Sequence, residues 1–276
     1  MKRIGGVVFV LILIFIFGVW FWGTPKGDLR LAFWDEGSLS LLSVFPERRQ
    51  VLEFQLPGEL LVWVPDNYGW YRLDKVEKLL KQEGREDLLG PVVFFNFGFY
   101  PSRVILGNSG QVGLPLVFGK WTDLKLWRWW WQARSLVRKV WKSADLGSLV
   151  GEEGRLNETR WEELIMGGWR LDFDDGVGDQ ALRLGVYNAS GQPGWAGWLG
   201  KRMSWAGWQV VDVGDSEGRG EGKCLVEHSL NNRERGTMKA MEDWAAFLGC
   251  SLRQVEAGGA GVDLRLLWQV GAGFWK

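Results

Sequence analysis

The segment Leu182-Arg-Leu-Gly-Val-Tyr-Asn188-Ala-Ser-Gly191-Gln-Pro-Gly194-Trp-Ala-Gly197, continued by Trp205-Ala-Gly-Trp208-Gln-Val-Val211, sets the fold of the C-terminal third. Leu182 to Asn188 alternates as a strand, and Pro193 is suited to the first position of a helix running to about Trp205, with Gly207 closing it. Trp208 to Val213 then reads as a strand, Gly214 to Gly222 as a loop and Cys224 to His228 as a strand. Thr237 to Leu248 has helical spacing with Gly249 at its C-cap, and Leu252 to Val255 and Val262 to Val270 complete the set. The resulting order, β-α-β-β-α-β(β), predicts a small α+β sandwich.

Upstream, Leu29 to Trp34, Ser38 to Phe45 and Arg49 to Leu56 are apolar runs separated by Asp35-Glu36-Gly37 and Pro46-Glu47-Arg48, the pattern of an antiparallel meander. Leu60 to Val64 adds a short strand. Leu73, Val76, Leu79 and Leu80 recur at helical spacing, which predicts a helix over about Leu73 to Gln82, stopped by Gly84. Pro91 to Leu106 is apolar without a clear period. Trp121 to Lys142 reads as a second helix with a Leu126, Trp130, Ala133, Val137, Trp141 stripe. It holds six of the twenty Trp, and from Lys120 to Lys142 there are seven basic residues against Asp123. Such a helix packs its stripe on the meander or lies on an anionic membrane surface. Asp145 to Gln180, rich in Gly and acids, reads as a linker with a short helix near Trp161 to Met166.

The first 28 residues contain a 19-residue uncharged run, Ile4 to Trp22, preceded by Lys2 and Arg3 and ended by Trp20 and Trp22. At 1.5 Å per residue it spans roughly 28 Å, so a transmembrane helix is expected over 1–23, with the N-terminus cytoplasmic and the bulk extracytoplasmic. The rival is a cleaved signal peptide, and Gly23-Thr24-Pro25-Lys26 fits a cleavage site poorly. The reading is therefore a mixed α/β chain: anchor 1–23, a membrane-proximal α/β domain 24–145 containing the meander, a linker 146–179 and the C-terminal domain 180–276.

Lys+Arg and Asp+Glu balance at 33 each, so no nucleic-acid partner is expected. His228 is the only histidine, which excludes His-rich metal sites and leaves His-dependent nucleophilic catalysis a single candidate base. Cys224 and Cys250 form an isolated even pair, and in an extracytoplasmic domain a disulfide is expected, with two buried free thiols as the alternative. Asp172, Asp174 and Asp175 do not make an EF-hand, because Gly176 and Arg183 stand at ligand positions. Gly191, Gly194 and Gly197 are spaced G-x-x-G-x-x-G, not as a dinucleotide fingerprint. Trp198 and Trp205 lie seven apart, next to the face carrying Trp195, Leu199, Met203 and Ala206, and are candidates for a surface aromatic patch. Asn157-Glu-Thr159 and Asn188-Ala-Ser190 match the glycosylation pattern and read equally as turns.

The ordered set Leu184-Gly-Val-Tyr-Asn188, Ser190-Gly191, Gly194-Trp-Ala196, Gly207-Trp208-Gln-Val210, Asp263-Leu-Arg-Leu-Leu and Gly271-Ala-Gly-Phe274 resembles the LytR C-terminal domain over residues 180–275. Leu39 to Phe54, followed by Leu56-Pro57-Gly58-Glu59, is similar to the strand pair and Ile-Pro-Arg-Asp motif of the LytR-CpsA-Psr module. That resemblance implies transfer of lipid-linked anionic polymers to peptidoglycan, with Arg and Asp holding a pyrophosphate, often with a divalent metal. Here Gly58 replaces the Arg and Glu59 the Asp, which removes the guanidinium best suited to phosphate. The expected role is therefore non-catalytic: binding or organising cell-wall polymer or envelope partners, with no cofactor. The alternative is a phosphotransferase using a divalent metal, with Glu59, Arg72 and Arg103 as catalytic candidates. Trp198, Trp205, Asn188 and Ser190 are the candidate binding residues.

Overall fold

The computed structural model describes residues 29–35, 37–45, 49–66, 68–107, 137–141, 146–164, 182–191, 193–216, 224–229, 235–255 and 262–268. The anchor run 4–22 and the whole of 121–136 lie outside them. No helix among the described residues is long and apolar enough to cross a membrane.

The meander forms as expected. β1 (Leu29–Asp35), β2 (Ser38–Phe45) and β3 (Gln50–Leu56) pair antiparallel, with Leu31 opposite Leu42 and Leu41 opposite Phe54. β4 (Leu61–Val64) and β5 (Gly69–Arg72) make a separate two-stranded ribbon. α1 spans Leu73–Gln82, the predicted interval, and buries Leu73, Val76 and Leu80. β6 (Arg103–Leu106) runs parallel to β1, and β7 (Val137–Trp141) runs parallel to β3, giving the order β6-β1-β2-β3-β7.

At 137–141, the described part of the helix expected over 121–142, β7 corrects that expectation. Val137 and Val140 are β-branched and Trp141 is aromatic, types that suit a strand. The exposed edge of β3 offers five residues of backbone pairing that local helical spacing does not reveal.

The unassigned apolar segment holds α2 (Leu89–Phe97), followed by Gly98 in the left-handed region at φ 63°. Every α2 residue except Pro91 is buried, so no amphipathic stripe exists to betray the helix. Its burial has two destinations. Val92, Val93 and Phe97 join the core of the meander with Trp34, Phe54 and Trp161. Phe94 and Phe95 join Trp63 in the core of the C-terminal unit. Asn96 ties α2 to β4: its amide donates to the carbonyls of Trp63 and Val92, and its oxygen accepts from the Trp63 N–H at 2.8 Å.

The stretch read as a linker carries α3 (Glu158–Leu164), in line with the short helix expected there, and contributes Leu146, Leu149 and Trp161 to the first core. Asn157 caps it, accepting from the Arg160 N–H at 3.1 Å.

The C-terminal unit has the predicted element order: β8 (Arg183–Asn188), α4 (Trp195–Trp205), β9 (Gln209–Asp215), β10 (Cys224–His228), α5 (Arg235–Leu248), β11 (Ser251–Gln254) and β12 (Leu264–Trp268). The sheet order is β11-β10-β12-β8-β9. Two parallel pairs, β8–β9 and β10–β11, each bridged by a helix, are joined through β12, which is parallel to β8 and antiparallel to β10.

Cys224 and Cys250 are disulfide-bonded, their Cα atoms 4.4 Å apart. The bond fixes the end of α5 to β10 across 26 residues, so reduction or the Cys224→Ala, Cys250→Ala pair is expected to cost about 3 kcal/mol. Denaturant unfolding with and without reductant measures it. An unchanged midpoint would show that the bond does not form in solution.

Candidate functional site

A cleft of about 810 Å³ opens between the β1–β2 turn and α1, lined by Gly37, Asp74, Lys75, Glu77, Lys78 and Lys81, with Gly107 at its edge. Its geometry follows from close approach of backbones. Gly37 has φ 88°, and a Cβ there would lie 2.7 Å from the Asp74 carbonyl oxygen, so only glycine fits. A Cβ on Gly107 would lie 2.6 Å from Asp35 Oδ1. The Gly37 N–H donates to Glu77 Oε2 at 3.3 Å, and the Asp74 N–H donates to the Gly58 carbonyl at 3.0 Å. The β1–β2 turn, the Pro57–Gly58 turn and the first turn of α1 are thereby held together.

Two carboxylates in this region each have one unpaired oxygen. Asp35 is 3% exposed and its Oδ1 is buried without a hydrogen-bond partner, as is Asp74 Oδ1. Asp74 Oδ2 accepts from Arg72 at 2.9 Å, with Lys75 3.7 Å away. Glu77 Oε1 accepts from Lys81 at 2.6 Å. A buried acceptor left unpaired costs roughly 1–3 kcal/mol; of the two acids only Asp74 lines the cleft, while Asp35 packs against Gly107. Lys75, Lys78 and Lys81 are exposed along the rim and supply positive charge. Among the described residues, no cluster of three or more His, Cys, Asp or Glu side chains is arranged to hold a metal.

The residues singled out in the sequence are dispersed. Glu59 is exposed in the turn after β3 and does not line the cleft. Arg72 touches it only through Asp74, and Arg103 is exposed on the edge strand β6. The three do not converge. His228 is buried in β10 of the other sheet, and burial pushes its imidazole below the ordinary value. Asn188 is buried; its amide donates to Asp215, and its oxygen accepts from the N–H and hydroxyl of Ser190. That is turn chemistry, and it leaves Asn188 closed to glycosylation.

The expected surface patch of Trp198 and Trp205 is corrected. Trp205 is 6% exposed and belongs to the first core, its indole N–H donating to Glu162 at 3.1 Å. Trp198 is half-buried against Trp63, Phe95 and Trp195. Between the two rings lies the Arg202 guanidinium, 4.7 and 4.5 Å from their centroids. Arg202 donates to the Phe95 carbonyl at 3.1 Å and to Glu158 Oε1 at 2.6 Å. Lys201 reaches Glu158 and Glu162. The Trp pair thus helps join α4 to α2 and α3. Its seven-residue spacing put both rings on one side of α4, and the sequence does not reveal that another helix occupies that side.

The glycines and the two orphan acids escaped sequence reading because Asp35-Glu36-Gly37 is an ordinary turn signal. Gly107 is distant in sequence, and only the parallel β1–β6 pairing brings it to Asp35.

No protein-family profile matches the chain, and no curated protein matches it. Similar solved structures include Bacillus subtilis TagU, at 10% identity and TM-score 0.26 over 30% of this chain and 36% of that one. The chain thus spans about a third of that protein. They also include B. subtilis TagT, at 9% identity and TM-score 0.27 over 89% and 86% of the two chains. A LytR-CPS2A-psr family protein, YwtF (TagT), with bound octaprenyl pyrophosphate lipid is similar at 10% identity and TM-score 0.26 over 81% and 91%. The neighbours of this chain thus include LytR-CPS2A-psr family proteins, at low TM-score and about 10% identity.

Proposed function

We propose that the chain is a membrane-anchored cell-envelope protein that binds anionic cell-wall polymer in the cleft beside α1 without catalysing its transfer. The observation that carries this reading is the rim of three exposed lysines, Lys75, Lys78 and Lys81, along the cleft. A polyhydroxylated, phosphate-bearing chain supplies negative charge for the ammonium groups and hydroxyl donors for the carboxylates that line the cleft, Asp74 and Glu77. The sequence resemblance over 24–145 and 180–276 and the Cys224–Cys250 bond agree with an extracytoplasmic setting. The non-catalytic reading rests on the Gly58 and Glu59 replacements. A side chain at 58 would meet Asp74 Cβ at 3.1 Å, so the local packing favours glycine there.

The test is binding of the full chain to purified phosphodiester wall polymer. Replacing Lys75, Lys78 and Lys81 together by Glu is expected to weaken binding at least tenfold, and raised salt should weaken the parent protein in parallel. Asp74→Asn should weaken it several-fold. Unchanged affinity in the lysine variant would reject the cleft. Incubation with polyprenyl pyrophosphate and a divalent metal separates the enzyme alternative: turnover abolished by Asp74→Asn would establish it.

A further inference from the structure

A second cavity, of about 430 Å³, opens where the start of α2 meets the end of α5 and β12. Its volume falls in the roughly 300–1,000 Å³ range of small-ligand pockets, and such pockets concentrate at junctions between units. The floor is aromatic. Phe95 and Trp268, 3% and 5% exposed, meet edge-on with their ring centroids 5.6 Å apart. Phe247 forms one wall, itself held edge-on against Phe94 at 5.9 Å. Pro65, just after β4, and Pro91, in the first turn of α2, add apolar wall that offers no backbone N–H.

The mouth is charged, and the end of α1 sets its arrangement. Gly84 reverses the chain there at φ 65°, and the Arg85 N–H donates to the Leu80 carbonyl at 2.8 Å, the closing bond of a Schellman turn. Arg85 is thereby brought between two acids. Its Nε donates to Asp87 Oδ1 at 3.2 Å, and one Nη donates to Asp66 Oδ2 at 2.5 Å and to Asp87 Oδ2 at 3.3 Å. Asp66, Arg85 and Asp87 all line the cavity, and the Asp87 side chain is 65% exposed at its opening. One guanidinium thus serves two carboxylates. An anion entering between them meets two like charges and an arginine already engaged; a cation meets two attractive charges and one repulsive.

We propose that this cavity binds a small arylalkyl amine in its protonated form, the ring against Phe95 and Trp268 and the ammonium group at Asp66 and Asp87. The floor supplies apolar and edge-to-face contact, and the acids supply charge and hydrogen-bond acceptance. The site is distinct from the lysine-rimmed cleft and does not depend on polymer binding there.

The test is calorimetric titration of the full chain with phenethylamine, phenethyl alcohol and phenylacetate, which share a ring and differ in charge. The amine is expected to bind at least tenfold more tightly than the alcohol, and phenylacetate most weakly. Asp66 lies in the left-handed region at φ 61°, which Asn also tolerates, so Asp66→Asn preserves the turn. Combined with Asp87→Asn it should bring the affinity for the amine down to that for the alcohol. Asp87→Asn alone, at an exposed position, should weaken the amine several-fold and serves if thermal unfolding shows the double variant to be unstable. Arg85→Gln removes the repulsive charge and should tighten amine binding several-fold, a gain that damage to the fold does not produce. The proposal is overturned if none of the three probes binds at millimolar concentration, if phenylacetate binds as tightly as the amine, or if Arg85→Gln weakens the amine.

Discussion

Gly98→Val is expected to destabilise the protein by about 5 kcal/mol, the largest effect of any single substitution considered. Two terms combine. Gly98 has φ 63° at the C-cap of α2, where a residue with a Cβ costs roughly 1–2 kcal/mol and a β-branched one more. A Cβ there would also stand 2.4 Å from Trp205 Cβ and 2.8 Å from the Arg202 carbonyl oxygen. Neither is the far end of a flexible side chain, so α2 and α4 must separate, at the upper end of the roughly 1–3 kcal/mol typical of overpacking or beyond it. Gly249 is the control: its φ is 71°, and nothing lies within 4 Å of the position a Cβ would take. Gly249→Val carries the conformational term alone, about 2 kcal/mol. Chemical denaturation of both variants separates the terms. Equal losses would mean that α2 and α4 do not touch as described.

That junction also marks where the sequence stops being readable. The meander, α1 and the βαββαββ order were legible because each element shows one face to a core, so its period survives in the apolar pattern. Val76, Leu80, Leu184 and Val186 are buried where their spacing predicts. α2 was illegible because it is buried on all sides, and Arg202 and Trp205 because they are buried by another unit and not by their own sheet. The helix expected at 137–141 failed because a sheet edge overrode local spacing. The candidate site was least legible of all. Asp35, Gly58, Asp74 and Gly107 come from four segments, and none is unusual in its own neighbourhood; what makes a site of them is the close approach of three glycines to two acids, which pairing register decides. The cysteine pair was legible through compartment and count, without any geometry.

Arg202→Ala is the second large effect, expected near 4 kcal/mol. Arg202 is 5% exposed, lies between two indole rings and donates both to the Phe95 carbonyl and to Glu158. Removing one partner of a buried pair typically costs about 3–5 kcal/mol, because the remaining groups lose their compensation while staying desolvated. Here the Phe95 carbonyl at the end of α2 loses a charged donor, and the slot between Trp198 and Trp205 is left empty. Arg202→Met fills the slot without the charge and should recover part of the loss, which separates packing from electrostatics. Glu158→Gln should cost less, since Lys201 also serves this partly exposed carboxylate. A double-mutant cycle is expected to return a coupling of about 1–2 kcal/mol. The same pair carries a pH signature. Burial works against the Glu158 carboxylate, but Lys201 and Arg202 outweigh it and hold its pKa below the ordinary value. A depressed carboxylate contributes stability that is fully present above its unfolded pKa, near 4.5, and is lost as pH falls through the lower folded value. Acid unfolding should therefore begin below about pH 4.5 in the parent protein, with this component absent from Glu158→Gln. If Arg202→Ala melts with the parent, the two units are not joined through this arginine.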